Sequence, residues 1–419
     1  MRNRLYSINN GHFSLLPSSW LQPSAATTDS INLIRLLLLT FPATLLGIGF
    51  AWMISYMLPL ITNLVLLGKV AYTYPDAEQS GLGVFIILVP VVGAMIWLLL
   101  SRKQQLLAAL GITAATATGA PLGTESPVWL TNLALNNKIA DIAGLNSAER
   151  KTLSMVAIAA GFTWCFGAPI AALMLVAELM LEEITFASLL PVIASTLLAA
   201  IAQHFLHPVN YEIRIANVNG YTLYILYIII GVVSALLGTL VVKCNKWLRA
   251  KGNSIAAKSK WWLVIAALIT GICGYYYPEM LGSGEQQLIP LLHGAVTFKL
   301  ILLCCFVKLI MWCIYSFMLD TGVGIISMFL VGAAWGLLTG FIFQVSMPGV
   351  HVDPSIAAIA GMLAFFTGAT RAVFTAVIFA LEISLNPALL PMIGVACISA
   401  YMVGRLLQST KKRAIESVA

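Results

Sequence analysis

Long runs of apolar residues with few or no charges follow one another along most of the chain, separated by short polar breaks. Several of these runs exceed the roughly 20 residues that an α-helix needs to cross the hydrocarbon core of a bilayer. The runs occupy residues 36–68, 83–101, 184–211, 221–242, 261–277, 309–319 and 321–352. The pattern therefore predicts an all-α protein with many membrane-embedded helices.

Prolines and glycines interrupt the longest runs, because Pro42, Pro59, Pro90, Gly340 and Pro348 lie in or beside apolar segments. A proline removes a backbone donor and clashes with the preceding helical turn. Broken helices are tolerated at membrane depth where they are buried in protein or line a cavity. We therefore expect several short, tilted or broken helices, with interruptions at these positions.

The composition indicates the environment in which this chain folds. Apolar residues make up 60% of the 419 positions, charged residues 9%, and the mean hydropathy is +0.93. These values exclude a soluble domain and indicate a multi-pass protein embedded in a lipid bilayer. The first 30 residues contain Arg2 and Arg4 but lack the compact apolar core of a cleaved signal peptide. We interpret residues 1–30 as a cytoplasmic tail.

The net charge of +7 reflects membrane topology. Basic residues cluster in the segment 243–260 and in Lys411, Lys412 and Arg413, within a short tail at 408–419. Since basic segments flanking spans stay in the cytoplasm, both termini are predicted there, in the cell membrane, or the inner membrane of a bacterium. The basic clusters only flank spans, which excludes a nucleic-acid surface.

Candidate enzyme chemistry is sparse, so we predict that the chain is not an enzyme. The seven cysteines include no Cys-x-x-Cys pair, and the histidines lack metal-ligand spacing. No metal or cofactor is therefore expected. An intramembrane serine peptidase would use Ser283, between Gly282 and Gly284, with His293 as the base. However, Ser283 lies in a predicted loop only ten residues before His293, whereas a nucleophile and base need two helices that bring them together.

The segment 119–127, with the sequence Gly-Ala-Pro-Leu-Gly-Thr-Glu-Ser-Pro, places the single carboxylate of Glu125 among small residues and prolines. An ionisable group at membrane depth is costly and usually faces a protein interior or an aqueous path. Glu125 is therefore the first candidate for a functional residue. A plain alternative is an acid at a helix start, where it complements the helix dipole.

An internal repeat divides the chain into two halves. The string Gly-Ala-Pro-Ile-Ala-Ala at 167–172, followed by Glu178, reappears as Arg-Ala-Val-Phe-Thr-Ala at 371–376, followed by Glu382. Similar Ala-rich strings precede both, at 157–161 and 358–362. Chance similarity between small-residue helices is the alternative. Repeated halves with broken helices are typical of membrane transport proteins.

Taken together, these residues resemble the CLC family of chloride channels and proton-coupled chloride transporters, over roughly residues 31–407. Residues 123–127 look like the family's glycine-x-glutamate-glycine-proline motif, with serine in place of the second glycine. Three further stretches are similar to family motifs: 159–178, 282–284 and 358–393. The resemblance implies a CLC-type fold of two inverted repeats, approximately 31–215 and 216–407, and a homodimer with one anion path per subunit.

The resemblance also implies an anion site gated by Glu125. Helix N-termini attract anions through free N–H groups and helix dipoles. Ionised, Glu125 would occupy the anion's place, and protonated, it would swing away, which ties anion flux to pH and voltage. The predicted anion-binding residues are Gly123, Thr124, Ser126, Ile325, Ile326 and Ser327. For Ser327, ordinary packing is the favoured explanation.

Several family features are missing from this chain. Nothing between Gly81 and Ala120 matches the first anion-binding loop, the third loop survives only as the degenerate string 322–327, and no tyrosine after Tyr401 matches the one that closes the anion path. The intracellular proton-accepting glutamate of the exchangers corresponds to Leu179, and channel members also tend to have an aliphatic residue there.

The absence of a proton-accepting glutamate at position 179 determines the predicted function. We expect a glutamate-gated chloride channel, with a proton-coupled chloride antiporter and a transport-incompetent scaffold as alternatives. An antiporter would need a substitute acid on its proton path, for which Glu178 and Asp320 are candidates, along with Glu182 and Glu183. Glu178 is better explained as structural, since it matches Glu382 in the repeat.

Overall fold

The computed structural model describes residues 31–75, 79–101, 105–180, 185–209, 211, 213, 221–255, 262–318 and 324–416, and the regular elements among them are all helical. The α-helices are α1 Leu33–Leu67, α2 Val89–Leu100, α3 Gln105–Ala117, α4 Glu125–Ile142, α5 Ser147–Phe166, α6 Pro169–Leu179, α7 Phe186–Leu206, α8 Tyr221–Ile255, α9 Trp262–Tyr276, α10 Glu285–Leu292, α11 Phe298–Leu303, α12 Leu309–Met318, α13 Ile325–Ser346, α14 Pro354–Thr370, α15 Val373–Ser384 and α16 Leu390–Glu416. The prediction of an all-α fold is confirmed.

Seven helical segments among the described residues are long and apolar enough to cross a membrane. They are Leu33–Leu67, Gly83–Leu100, Phe186–Leu206, Leu223–Cys244, Phe298–Tyr315, Ile325–Ser346 and Pro387–Leu407. The outer helices present large apolar side chains at the surface, such as Leu38, Leu99 and Phe205. Since a soluble protein rarely exposes so much contiguous apolar surface, this surface is suited to contact with lipid.

The centre of the molecule is built from α13 and α14. Every residue from Ser355 to Thr370 is buried. Glycines let the two helices approach closely, because a Cβ atom at Gly361 would come within 2.4 Å of the Gly336 Cα. Close approach through small residues is how helices associate in membranes, where the hydrophobic effect gives no driving force between them.

Three of the predicted interruptions are wrong. Helix α1 continues through Pro42 and Pro59, and α13 continues through Gly340. A proline has no N–H group, so each proline removes one backbone hydrogen bond from the helix. The remaining backbone hydrogen bonds keep this 35-residue helix continuous. Gly340 instead packs α13 against Ala357 of α14. Pro90 lies in the first turn of α2 and Pro348 follows the end of α13, so helix ends do lie at these two positions.

The internal repeat is confirmed by two matching helix pairs. Helix α5 ends at Gly167 and α14 ends at Arg371, both in the left-handed conformation with φ of 61° and 67°. A short helix follows each of these residues after one further position, α6 in the first half and α15 in the second. The repeat geometry requires a left-handed backbone at this position. Arg371 adopts it, although this conformation normally favours glycine.

Candidate functional site

Glu125 is the first residue of α4 and its side chain is fully buried. The segment that leads to it turns sharply at Gly119 and Gly123, where φ is +116° and +76°. Only glycine adopts such angles without steric cost. The glycines of the predicted motif therefore set the chain direction that carries Glu125 into the interior.

Three segments that are distant in the sequence meet at Glu125. The Gly282 N–H donates to the Gly119 carbonyl over 3.0 Å. The Ser327 hydroxyl lies 2.9 Å from the Pro121 carbonyl oxygen and 3.2 Å from that of Ser283. These contacts bring the N-terminal ends of α4, α10 and α13 together, which directs backbone N–H groups and positive dipole ends toward one region.

The Glu125 carboxylate occupies the donors at this junction. Its Oε1 atom accepts the Ile326 N–H over 3.1 Å, and the Ile325 N–H also faces the carboxylate. The Oε2 atom is buried without a hydrogen-bond partner. A Cβ atom at Gly123 would lie 2.2 Å from Oε2, so the side chain folds back over this glycine. Glu125 thus accepts backbone N–H groups at this junction.

The other predicted anion-binding residues divide into two groups. Gly123, Thr124, Ile325 and Ile326 surround the carboxylate or the turn beneath it. The hydroxyl groups of the two serines interact with backbone carbonyls instead, Ser126 with that of Leu122 over 2.6 Å and Ser327 as described above. In this arrangement the donors available to an anion are backbone amides.

A cavity of about 80 Å³ borders this junction, and sequence reasoning missed two of the residues that line it. Tyr74, in the segment after α1, and Glu285, the first residue of α10, face each other there beside Ser283. Burial, reinforced by the nearby Glu285 carboxyl, raises the pKa of the Tyr74 phenol well above its ordinary value. The position of Glu285 directly after the glycine-rich turn 282–284 was the available signal.

A buried lysine fixes the turn before α10. Lys308 ends a π-helical turn, Cys304–Lys308, and is 1% exposed. Its Nζ atom donates to the carbonyls of Met280 over 3.0 Å and Gly282 over 2.6 Å. Among the described residues, carbonyl oxygens and not an acid accept hydrogen bonds from this lysine. The side chain holds the turn and brings a positive charge near the junction.

Of the candidate acids for a proton path, Glu178 is the one that lies within the described residues. Both carboxylate oxygens of Glu178 accept backbone N–H groups of α15, which gives this side chain a capping role. Leu179, half-buried at the end of α6, packs against the main apolar core. Asp320, Glu182 and Glu183 lie outside the described residues.

The peptidase alternative fails on geometry. Ser283 precedes α10 and His293 follows it, so the two residues lie at opposite ends of an eight-residue helix. At a rise of about 1.5 Å per residue this is a separation of roughly 12 Å or more. The His293 Nε2 atom instead lies 2.8 Å from the Tyr211 carbonyl oxygen.

Comparisons with known proteins bear on the fold and the family. A family model described as "Voltage gated chloride channel" matches residues 63–405. The H(+)/Cl(-) exchange transporter ClcA of Vibrio parahaemolyticus is 25% identical over 304 residues, which is 70% of this chain and 65% of that protein. ClcA of Salmonella arizonae is 28% identical over 305 residues, 69% of this chain and 63% of that protein. The chain therefore spans somewhat less than two thirds of the length of these curated relatives.

Solved structures share the fold across nearly the whole chain. A slow cyanobacterial Cl-/H+ antiporter superposes with a TM-score of 0.70 at 17% identity, covering 91% of this chain and 96% of the other. A CLC-type fluoride/proton antiporter superposes with a TM-score of 0.69 at 16% identity, covering 90% and 97%. The arrangement of helices described above is the one found in these proteins, and the relatives named here are described as transport proteins, not as enzymes.

Proposed function

Because this chain belongs to the voltage-gated chloride channel (CLC) family, we propose that it is a proton-coupled antiporter of chloride or a similar small anion. The observation that carries the proposal is the hydrogen bond from the Ile326 N–H to Glu125 Oε1. A movable carboxylate occupies donors that suit an anion, and a carboxylate is also a proton acceptor. One side chain can therefore couple the two ions.

The mechanism follows from competition for the same amides. Ionised, Glu125 accepts the amides at the start of α13 and excludes an anion. Protonated, it loses its negative charge, and its affinity for the amides falls because charge-assisted hydrogen bonds are the stronger ones. An anion then takes its place at the N-terminal ends of α4 and α13, where dipoles favour negative charge. Return of the carboxylate releases the proton and expels the anion.

This proposal departs from the channel that the sequence favoured. That expectation rested on Leu179, which removes the proton acceptor found in the exchangers of the family. The curated relatives are named as H(+)/Cl(-) exchange transporters, which supports exchange. The substitution at Leu179 then means that protons reach Glu125 by other groups. A passive channel remains the second candidate, supported by the packing of Leu179 against the apolar core.

Further properties are proposed from the family and the topology. We take residues 31–407 as the transport domain, with inverted halves approximately at 31–215 and 216–407, and two such chains as a homodimer with one path each. The basic segments at the C-terminal ends of α8 and α16 support cytoplasmic termini and insertion in a cell membrane, the inner one in a bacterium. Movement of a charged carboxylate within the membrane field supports voltage dependence.

The test is a paired flux measurement on liposomes that contain the purified protein and are loaded with chloride. Wild type should release chloride and move protons in a fixed ratio, and Glu125→Gln should lose the proton component. Chloride release without proton movement in wild type would support the channel instead. Absence of flux with chloride, fluoride and nitrate would refute transport and leave the scaffold alternative.

A further inference from the structure

Glu285 is a half-buried acid that the proposed gate does not yet use. It begins α10 and borders the cavity formed by the end of α1, the end of α3 and the segment 278–287. Its Oε2 atom is shielded from solvent and has no hydrogen-bond partner. A carboxyl group without a cation to pair with is costly in a membrane protein interior, and such residues commonly mark ion or proton pathways.

Glu125 and Glu285 form a pair of neighbouring acids. The two carboxyl groups are close enough to interact electrostatically, and the Thr124 hydroxyl, on the residue that precedes Glu125, faces the Glu285 carboxyl. Glu125 is fully buried, and its Oε2 atom also lacks a partner. Coulomb repulsion disfavours two neighbouring carboxylates that are both charged, so this arrangement disfavours the state in which both groups are ionised.

Among the described residues, no cation forms an ion pair with Glu285. The titratable side chains that face it are Tyr74 beside the cavity, Cys165 on α5, and Tyr211 after α7. The neighbouring cation, Lys308, donates to the carbonyls of Met280 and Gly282. Neutral hydroxyl and thiol groups can pass or stabilise a proton, but they do not hold Glu285 permanently in its charged form.

The cavity opens on the side of the membrane opposite the basic clusters. Helix α1 is long enough to cross from the N-terminal tail to the cavity. The shorter helix α9 leads from the side of the basic segment 243–260 to the Pro278 turn that lines the cavity. With the proposed cytoplasmic placement of the basic segments, the cavity faces the exterior. Its volume of about 80 Å³ is well above the minimum of about 10–15 Å³ for one water molecule.

We propose that Glu285 is a second proton-exchanging carboxyl group, which takes a proton from water in the external cavity and passes it to Glu125. In the transfer, the O–H bond of protonated Glu285 breaks, the Thr124 hydroxyl accepts that proton and gives up its own, and a Glu125 oxygen forms the new O–H bond. Glu285 is left ionised and is reprotonated from the cavity. The inference rests on the proposed proton coupling. It identifies the group through which protons from the exterior would reach Glu125.

The first experiment compares Glu285→Gln with Glu279→Gln in chloride-loaded liposomes. Glu279 lines the same cavity, but its carboxylate lies 3.7 Å from the Lys299 ammonium, so its removal controls for loss of a carboxyl group near the mouth. Glu285→Gln should lower proton flux by roughly 100-fold, the low end for a positioned proton-transfer group, and should therefore lower the proton-to-chloride ratio. Glu279→Gln should keep the wild-type ratio. An unchanged proton-to-chloride ratio in Glu285→Gln would overturn the proposal.

Glu285→Asp keeps the acid at a shorter reach and should give a proton flux between wild type and Glu285→Gln. If Glu285→Gln does not elute as a folded protein, Glu285→Asp decides alone, and a wild-type proton flux in it counts against the relay.

An infrared titration tests the pair without relying on transport. The carbonyl stretch of protonated carboxyl groups is followed against pH in wild type, Glu125→Gln and Glu285→Gln. Removing one acid should shift the titration of the other to lower pH by about one unit, a tenfold change in the protonation equilibrium. Independent titrations would overturn the inference. A wild type that conducts anions without protons would refute antiport, while the titration would still report whether the two acids interact.

Discussion

Glu178 and Glu382 cap each other's helices across the two halves of the protein. The carboxylate of Glu178, near the end of α6, accepts N–H groups in the first turn of α15, with Thr375 N at 2.7 Å. The carboxylate of Glu382, near the end of α15, accepts N–H groups in the first turn of α6, with Ala171 N at 2.7 Å. The two helices are therefore antiparallel, and the reciprocal caps join the repeats.

The reciprocal caps predict that Glu178→Gln and Glu382→Gln each destabilise the protein. Loss of the charge weakens hydrogen bonds to helix N-termini and their dipoles, at a cost of about 1–2 kcal/mol. Glu178→Gln should cost more, because Glu178 also accepts the Thr375 hydroxyl over 2.6 Å. Thermal unfolding in detergent measures both. The control is Asp141→Asn, which removes an exposed ion pair with Arg150 and should cost less than about 1 kcal/mol.

The same variants separate a structural role from a proton path. Glu178→Gln should keep the wild-type proton-to-chloride ratio in liposomes, because both oxygens of Glu178 are engaged by α15. If Glu178→Gln abolished proton movement without lowering the unfolding temperature, Glu178 would belong to the proton path and the capping interpretation would be wrong.

Gly123→Ala should displace the Glu125 side chain. The new Cβ atom would lie 2.2 Å from Oε2 and 2.4 Å from Oε1, and the residue sits at φ +76°. The carboxylate must leave the Ile326 amide, so we expect anion flux with weakened proton coupling, similar to Glu125→Gln. The control is Gly68→Ala, which adds a methyl group at φ +64° with nothing within 4 Å and so carries backbone strain without the overlap. A Gly123→Ala protein with wild-type coupling would contradict the assigned position of the gate.

Lys308→Met tests the support of the turn before α10. The substitution leaves the carbonyls of Met280 and Gly282 without their donor, and each unsatisfied buried carbonyl costs about 1–3 kcal/mol. We expect a lower unfolding temperature and weaker chloride binding by calorimetry, because the turn no longer positions α10. Lys299→Met is the control, since its side chain is 67% exposed and surface pairs contribute about 0–1 kcal/mol. Equal effects of the two substitutions would remove Lys308 from the site.

The repeat could be predicted from the sequence because it depends on local patterns, and Glu125 could be chosen as a candidate for the same reason. Glu125 stands out among glycines and prolines that fix one turn, and the matched strings around Gly167 and Arg371 do form matching helix pairs. Apolar runs likewise predicted the helices. The interruptions failed at Pro42 and Pro59, because a long helix tolerates the loss of single hydrogen bonds when the rest of its ladder is intact.

The partners of the site residues could not be predicted because they come from distant segments. Lys308 binds carbonyls 26 and 28 positions away, and Ile326 donates to a carboxylate 201 positions away. An apolar run predicts that a helix exists, but not which neighbour its polar groups meet. The omission of Glu285 from the predicted site follows from this limit.

The two serines near the gate can be used to test whether side-chain hydroxyl groups or backbone amides bind the anion. Ser126 donates to Leu122 within one turn, whereas Ser327 contacts the carbonyls of Pro121 and Ser283 and so joins three segments. Ser126→Ala should change chloride affinity by less than about 0.5 kcal/mol, the range for substitutions away from critical contacts. Ser327→Ala should lower stability by about 1 kcal/mol, the net value of one buried hydrogen bond, and weaken chloride binding through misplaced amides. Calorimetry with chloride and thermal unfolding measure both. A large loss of affinity in Ser126→Ala, at unchanged stability, would instead make its hydroxyl an anion ligand.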